Sequence, residues 1–278
     1  MPELPEVETM RRGLLPVVGA VIADVARPPC ACRPITIEPE LTAFRRRVVG
    51  RTIVAIDRIG KRVVVRLSSN DCIIFEPRMT GLVLIADPPG AEHLRLRVDL
   101  EGFEQPLLFW DRRGLGSVRL LSPAEYAVRL GPEKIGPDAL TLTAEQLQQA
   151  LGGSQREIKP ALLDQKRLAG VGNLYASEVL HLAGVHPQKR CDRMTTAQWR
   201  RVHEQLLHVL EEAILYEGST LGDGTYRNAL NQSGGYQNHH RVYDREGDLC
   251  RRCGQATIER IVQTQRSTFF CPACQTKR

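Results

Sequence analysis

The spacing of hydrophobic positions divides the chain into segments of different secondary structure. At the start, Leu4, Val7, Met10 and Leu14 recur every three or four residues with glutamates between them. This spacing predicts an amphipathic helix from residue 2 to about residue 18, closed by Gly19.

A second pattern covers residues 48–121, where short β-branched runs are separated by Gly, Asn, Asp and Pro. Runs of this length at regular intervals predict an antiparallel β-sandwich. The runs are residues 53–56, 63–67, 72–75, 82–85, 94–100, 107–110 and 118–121.

Helical periodicity returns after two Gly-Pro breaks at residues 131–132 and 136–137. A polar, glycine-containing stretch at residues 218–238 then predicts a long loop that leads into a cysteine-rich end. We therefore predict an α+β protein in three parts, with boundaries at residues 1–130, 131–220 and 221–278. The predicted helices of the middle part are residues 144–151, 158–168, 174–182 and 196–216.

Length and charge narrow the class of protein. The 278 residues, 42% of them hydrophobic, are enough for two or three packed units. The chain starts with an acidic segment and has no apolar run near the ~18 residues of a membrane helix, so we expect neither export nor a membrane location. The net charge is +6, and the segment from Arg241 onward holds eight basic and four acidic residues. This excess suits a polyanion, although a merely solvated basic tail is the alternative.

Four of the eight cysteines form two Cys-x-x-Cys pairs, Cys250 with Cys253 and Cys271 with Cys274, separated by 17 residues. Two such pairs supply four thiolates to one tetrahedral Zn²⁺. Because four thiolates leave no open position for water, we predict a structural zinc that does not catalyse. The hairpin between the pairs would present Arg266 to a phosphate, with a solvated arginine as the alternative.

Two weaker signals precede the cysteines. Glycines interrupt the helical region at residues 168–174, and such turns expose backbone N–H groups next to Asn173, which can donate to a phosphate. Removal of Met1 would expose the secondary amine of Pro2, a nucleophile able to form an iminium at a sugar C1′, with Glu3 near enough to move protons. Taken alone, these features are explained more readily by an ordinary helix connection and by ordinary helix capping.

The combination of motifs resembles one known family. The chain starts Met-Pro-Glu-Leu-Pro-Glu-Val-Glu-Thr, continues with Asp164-Gln165 and Gly-Val-Gly-Asn-Leu-Tyr-Ala-Ser-Glu at residues 170–178, and ends with the cysteine pairs around Arg266-Ser267-Thr268. In this order they resemble the formamidopyrimidine-DNA glycosylase and endonuclease VIII family. The resemblance implies an N-terminal helix with a β-sandwich, a helix-two-turns-helix domain and a zinc hairpin, with DNA bound between the halves.

The resemblance also implies roles for individual residues. It makes Pro2 the Schiff-base nucleophile and Glu3 the proton donor. It makes Lys61 a phosphate contact that assists β-elimination, and Arg266 the residue that grips phosphates around the lesion and supports δ-elimination. The further residues that it implies are the DNA contacts His93 and Asn173, the acid Glu6 below the lesion pocket, and Lys159 lining that region.

An enzyme that extrudes a base must fill the gap left in the stack. In the family a Met, an Arg and usually a Phe do so, and here Met79, Arg113 and Leu115 stand in those places. Leu115 departs from the pattern; an aliphatic side chain can still wedge between bases, but we expect weaker stacking. Packing of Met79 and Leu115 in the core is the alternative.

The resemblance favours a bifunctional DNA glycosylase and abasic-site lyase that excises 8-oxoguanine and formamidopyrimidines through β,δ-elimination. This mechanism implies no catalytic metal or organic cofactor. The long loop, with Thr225 and Tyr226 expected near the flipped base, resembles the branch that acts on purine lesions. Two alternatives are an endonuclease VIII-like enzyme for oxidised pyrimidines and a non-catalytic protein that binds damaged DNA. We expect a monomer in a bacterial cytoplasm, at the nucleoid, with double-stranded DNA containing oxidised bases or abasic sites as its partner.

Overall fold

The computed structural model describes residues 2–222 and 224–277, so the predicted removal of Met1 concerns a residue outside the described ones. The chain forms two compact units. Unit 1 comprises Met1–Gly131 and Ile214–Gln237, and unit 2 comprises Pro132–Ala213 and Asn238–Arg278. The long loop predicted from the sequence thus groups with the first unit.

Unit 1 is the predicted combination of a helix and a β-sandwich. One sheet has the strand order β1-β7-β8-β6 and a second sheet has the order β2-β9-β5-β4-β3. The elements in chain order are α1 (Leu4–Gly13), β1 (Ile22–Ala26), β2 (Thr36–Glu38), α2 (Leu41–Val48), β3 (Ile53–Ile59), β4 (Arg62–Leu67), β5 (Cys72–Glu76), β6 (Gly81–Leu84), β7 (Leu94–Leu100), β8 (Leu107–Asp111), β9 (Ser117–Leu121) and α3 (Pro123–Leu130).

The two sheets share one hydrophobic core. Alternating residues of β4, Val63 and Val65, are buried in it together with residues of the other sheet. The rings of Phe75 on β5 and Phe109 on β8 meet across the core at 5.7 Å. Neighbouring strands run antiparallel except β2, which pairs in parallel with β9. The predicted antiparallel sandwich is confirmed, with this one parallel edge added.

Helix α1 is shorter than the sequence predicted. It ends at Gly13, and a short 3₁₀ turn follows at Leu15–Val17. Pro16 lies inside that turn and has no backbone N–H to continue the α-helical hydrogen bonds. The hydrophobic spacing therefore extends past the point where the backbone can remain α-helical.

Unit 2 contains the predicted helices and a two-stranded hairpin. The predicted helix at residues 158–168 is shorter in the structure, because the Asp164 carboxylate accepts the Lys166 N–H at 3.1 Å and turns the chain. Among the described residues, no helix combines the length and apolar character needed to cross a bilayer. The elements are α4 (Ala144–Leu151), α5 (Ile158–Leu162), α6 (Asn173–Ala183), α7 (Thr196–Leu215), β10 (Glu259–Gln263) and β11 (Arg266–Phe270).

Candidate functional site

Pro2, Glu3 and Glu6 lie together and buried at the amino end of α1. The Glu6 carboxylate accepts the backbone N–H of Glu3 at 2.9 Å, which satisfies one of the free donors of the helix terminus. All three residues lie at the positive end of the helix dipole. The structure therefore brings the predicted nucleophile and the two predicted acids into one buried cluster.

The same carboxylate attaches the long loop to α1. The second oxygen of Glu6 accepts the backbone N–H of Ser219 at 2.8 Å. Gly218 has φ 79, and a Cβ there would lie 2.8 Å from Glu6 Oε1, so only glycine fits at this position. The loop therefore starts in direct contact with the residues at the amino end of α1.

Thr225 and Tyr226, which the sequence placed near the flipped base, are both buried in unit 1. The Tyr226 hydroxyl donates to the carbonyl of Glu217 at 2.9 Å, and its ring belongs to the sandwich core. Burial, followed by the charge of Glu6, raises the pKa of Tyr226 well above its usual value. Tyr226 is therefore a neutral anchor of the loop in this structure.

Lys61 lies in a two-residue turn with Gly60 between β3 and β4. Arg58 donates to the carbonyl of Gly60 at 3.0 Å and to Glu8 on α1 at 3.1 Å. Glu8 also accepts hydrogen bonds from Arg11 and Arg12 on its own helix. Burial raises the pKa of Glu8, but the hydrogen bonds from the arginines outweigh burial and lower this pKa to about 2. The ionised Glu8 thus ties the Lys61 turn to α1, a role that the sequence analysis missed.

The three predicted gap-filling residues lie on two loops at the strand ends. Met79 is 37% exposed and Arg113 is exposed, whereas Leu115 is half-buried. Because Met79 is exposed, core packing does not account for it. The structure brings these residues onto the loop after β5 and the loop after β8.

A buried carboxylate joins these two loops. Asp111, at the end of β8, has no exposed surface and accepts the hydroxyl of Thr80. It also accepts the backbone N–H groups of Arg113 at 3.2 Å and Gly116 at 2.8 Å. Asp111 therefore positions the loops that carry the gap-filling residues, which spacing alone did not reveal.

His93 ends a short 3₁₀ turn before β7, with 20% of its side chain exposed. Its ring meets Trp110 edge to face at 5.4 Å, and the Trp110 indole donates to the carbonyl of Gly90 at 2.7 Å. The imidazole is thus held in a defined orientation at the surface of unit 1.

In unit 2, Lys159 and Asn173 meet the zinc hairpin. Lys159 is 1% exposed, and its ammonium donates to Asn173 Oδ1 at 2.7 Å, to the Ser267 carbonyl at 2.9 Å and to Thr268 Oγ1 at 2.7 Å. The Asn173 amide donates to the same Ser267 carbonyl at 2.9 Å. The structure thus places Lys159 beneath the start of α6 and the start of β11.

Arg266 is the exposed first residue of β11, directly after the hairpin turn. The turn residues Thr264 and Gln265 both have left-handed backbones, with φ 46 and 62. This geometry matches the right-handed twist of the strands, as in type I′ turns, but is unfavourable for side chains other than Gly and Asn. The hairpin is therefore held in a strained tip that presents Arg266 outward.

The four paired cysteines meet at one point, with all four Sγ atoms within 4.8 Å of one another. Zn–S bonds of about 2.3 Å place tetrahedral sulfur atoms about 3.8 Å apart. The Sγ separations of 3.9 Å for Cys250–Cys274 and 3.7 Å for Cys253–Cys271 fit this value. The cluster is a structural zinc site. His181, which the sequence analysis missed, places Nε2 3.5 Å from Cys250 Sγ.

Three known domain families match the chain. The formamidopyrimidine-DNA glycosylase N-terminal domain matches residues 1–118, the H2TH domain of the same glycosylases matches residues 130–224, and a zinc finger found in these glycosylases and in IleRS matches residues 247–277. The zinc finger match coincides with the cysteine cluster.

Curated relatives extend over the full length. A formamidopyrimidine-DNA glycosylase of Chloroflexus aurantiacus is 40% identical, with 99% of this chain and 98% of the relative covered. Another from Lactiplantibacillus plantarum is 36% identical, with 98% of each covered.

Similar solved structures include a Lactococcus lactis variant in complex with DNA containing Fapy-dG, at 32% identity and TM-score 0.88, covering 99% of this chain and 100% of that one. A Thermus thermophilus structure is 35% identical with TM-score 0.85, and both chains are covered completely.

Proposed function

Because the chain belongs to the formamidopyrimidine-DNA glycosylase family, we propose that it excises oxidised purines from DNA with the amine of Pro2 as nucleophile. Membership of this family makes it a DNA glycosylase with abasic-site lyase activity. The Lactococcus lactis relatives bound to DNA with Fapy-dG and with an abasic site support the substrate and the intermediate. Double-stranded DNA is therefore its partner.

The observation that carries the proposed mechanism is the buried cluster of Pro2, Glu3 and Glu6 at the amino end of α1. Once Met1 is removed, the nitrogen of Pro2 is a secondary amine at the positive end of a helix, where a protonated amine is disfavoured. An unprotonated amine is the reactive form. Glu3, the next residue, is placed to donate and accept protons in a site from which water is largely excluded.

In the proposed reaction the Pro2 nitrogen attacks C1′ of the damaged nucleoside. The bond from C1′ to the base breaks, and the base leaves with a proton that Glu3 supplies through the sugar or directly. The ring opens to an iminium, which makes the hydrogens on C2′ acidic. Loss of a C2′ proton then expels the 3′ phosphate in β-elimination, and a further elimination expels the 5′ phosphate.

Lys61 and Arg266 assist these eliminations by stabilising the phosphates that leave. Asn173 binds a phosphate at the start of α6, where backbone N–H groups are available. Met79, Arg113 and Leu115 fill the space of the extruded base. His93 contacts the backbone of the DNA.

Borohydride trapping on an 8-oxoguanine duplex tests the nucleophile. We expect a covalent adduct with the processed chain and none with Pro2→Gly or with a chain that retains Met1. Glu3→Gln should lose base excision but still form an adduct on an abasic duplex, which separates the proton donor from the nucleophile. An adduct that forms without the free proline amine would overturn the assignment.

A second candidate substrate is an oxidised pyrimidine, since one Lactococcus lactis relative was solved with DNA that contains such a base. The same trapping assay with 8-oxoguanine, formamidopyrimidine and an oxidised pyrimidine ranks the substrates. Faster trapping on the oxidised pyrimidine than on the two purine lesions would show that oxidised pyrimidines are the preferred substrates. Binding of all three without any adduct would favour the non-catalytic alternative.

A further inference from the structure

A pair of thiols lies beside His93, outside the zinc site. Cys30 and Cys32 are separated by one residue in an irregular segment after β1, and both are partly exposed. Cys32 Sγ lies 3.5 Å from His93 Nδ1, and Cys30 donates to the Glu92 carbonyl at 3.0 Å. Both cysteines therefore contact the short turn that ends in His93.

A buried arginine faces the first of these thiols. Arg95 is 2% exposed, and its Nη1 lies 2.8 Å from Cys30 Sγ and 3.1 Å from the Arg33 carbonyl. Its Nε donates to the backbone carbonyl of Asp111 at 2.8 Å, and among the described residues Nη2 has no hydrogen-bond partner. Cys30 is the cysteine side chain in contact with this buried guanidinium. Positive charge next to a partly exposed cysteine is the setting in which thiols react.

The remaining thiols outside the zinc cluster differ from this pair in being buried. Cys72 and Cys191 are 3% and 1% exposed. Burial raises the pKa of Cys72, and burial raises the pKa of Cys191 to about 11. They serve as internal controls because a buried, protonated thiol reacts slowly.

We propose that Cys30 and Cys32 are a redox-active dithiol that hydrogen peroxide converts to a disulfide, and that this oxidation weakens DNA binding through His93. The second half rests on the proposed function, in which His93 contacts DNA. Both sulfur atoms lie near one acceptor, the Glu92 carbonyl, at 3.0 Å for Cys30 and 3.8 Å for Cys32, in the irregular segment between β1 and β2.

Hydrogen peroxide is the only reactant that the two thiols need to form the disulfide. The Cys30 sulfur attacks one oxygen of the peroxide, forming a sulfenic acid and releasing hydroxide, which is protonated to water. The Cys32 sulfur, whose proton His93 Nδ1 is placed to accept, then attacks the Cys30 sulfur and expels a second water. Two thiols are oxidised by two electrons, and one peroxide is reduced to two waters.

Oxidation removes contacts of the His93 turn. The disulfide draws Cys32 Sγ away from His93 Nδ1 and leaves Cys30 without the S–H that the Glu92 carbonyl accepts. The imidazole then keeps its edge contact with Trp110 but loses its thiol partner. We expect about fivefold weaker binding to a duplex with a stable abasic analogue, the loss of one hydrogen bond.

The first test maps the disulfide in the full-length, zinc-loaded chain. Peroxide is added at concentrations that release no zinc, free thiols are blocked with N-ethylmaleimide, and peptides are weighed. We expect the peptide that contains Cys30 and Cys32 to carry no N-ethylmaleimide and to be lighter than its reduced form by two hydrogens. Cys72 and Cys191 should still be reduced. Cys32→Ser should stop at a sulfenic acid on Cys30, and Arg95→Gln should slow its formation about tenfold. Complete labelling of Cys30 and Cys32 by N-ethylmaleimide after peroxide treatment would show that no disulfide forms and would refute the proposed site.

The second test measures DNA affinity before and after oxidation, with His93→Ala and the double variant Cys30→Ser/Cys32→Ser as controls. We expect peroxide to weaken DNA binding by the wild type and His93→Ala to bind weakly with or without peroxide. The affinity of the double variant should be the same before and after peroxide. Unchanged affinity of the mapped disulfide form, with weakened binding by His93→Ala, would overturn the coupling. Wild-type affinity of His93→Ala would instead refute the DNA contact of His93 and leave the dithiol standing.

Discussion

Replacement of Glu8 by glutamine tests whether the network between α1 and the Lys61 turn is as important as its geometry indicates. Glu8 accepts hydrogen bonds from Arg11 at 2.8 Å, Arg12 at 2.9 Å and Arg58 at 3.1 Å. The Arg58 side chain is only 9% exposed. Removal of the negative charge therefore leaves a largely buried guanidinium without its carboxylate, which is the costly way to break an ion pair.

The magnitude follows from the shifted pKa of Glu8. That pKa is about 2 instead of the ordinary 4.5, and at about 1.36 kcal/mol per pKa unit the difference corresponds to about 3 kcal/mol of folding free energy. Because the folded pKa is depressed, this stabilisation is complete above about pH 4.5 and is lost as the pH falls toward 2. Glu8→Gln should therefore be about 3 kcal/mol less stable at pH 7, and the gap should shrink on acidification.

Tryptophan fluorescence during urea unfolding provides the assay. Trp110 lies in unit 1 and Trp199 in unit 2, so a Trp199→Phe background reports on unit 1 alone. Glu211→Gln, at an exposed position of α7, is the matched control and should leave stability unchanged. A difference below about 0.5 kcal/mol between Glu8→Gln and the background at pH 7, or a difference that stays constant down to pH 3, would refute the reasoning.

Further predictions concern DNA binding, the gap-filling loops and zinc. Lys159→Met should weaken duplex binding about tenfold with an unchanged salt dependence, since this buried lysine orients Asn173 and does not reach a phosphate. Arg266→Ala should lower the slope of log affinity against log salt concentration by about one unit. Equal changes of this slope in the two variants would contradict the distinction between an orienting lysine and a phosphate-binding arginine. Asp111→Asn should destabilise unit 1 by about 2 kcal/mol in urea unfolding, because an amide NH₂ would face the Gly116 N–H. Unchanged stability of Asp111→Asn would show that the two loops keep their structure without this carboxylate. Chelation of zinc should expose the β10–β11 amides to hydrogen exchange while β4 and β5 stay protected, and protection of β10 in zinc-free protein would count against a structural metal.

The regular parts of the fold were predictable because local pattern and tertiary burial agree there. In the runs at residues 63–67 and 94–100 the hydrophobic residues are either consecutive or alternate with polar ones. These runs correspond to β4 and β7 with nearly the same bounds. The segment between α1 and β3 was missed. Strand β2 has three residues and pairs in parallel with distant β9, and α2 carries three consecutive arginines that obscure its two buried residues, Phe44 and Val48.

The candidate site was predictable only where a motif names a residue. The zinc cysteines are separated by fixed short spacings, so their meeting follows from local geometry. Asp111 and Arg95 are ordinary charged residues at strand positions, and their contacts join segments that are 16 to 65 residues apart in the chain. Such contacts depend on how the sheets pair, which residue types alone do not specify.

The long loop shows most clearly how position in the fold changes the meaning of a residue. Its length and glycines suggested a cover for the flipped base, with Tyr226 touching that base. In the structure the loop is fixed at both ends: Glu6 holds Ser219, while the Thr220 N–H donates to Gln237 at 2.9 Å. Tyr226 is buried between these anchors, whereas Gly222 and Gly224 are exposed. Burial thus makes Tyr226 part of the core of unit 1, and the glutamate at the amino end of α1 fixes where the loop begins.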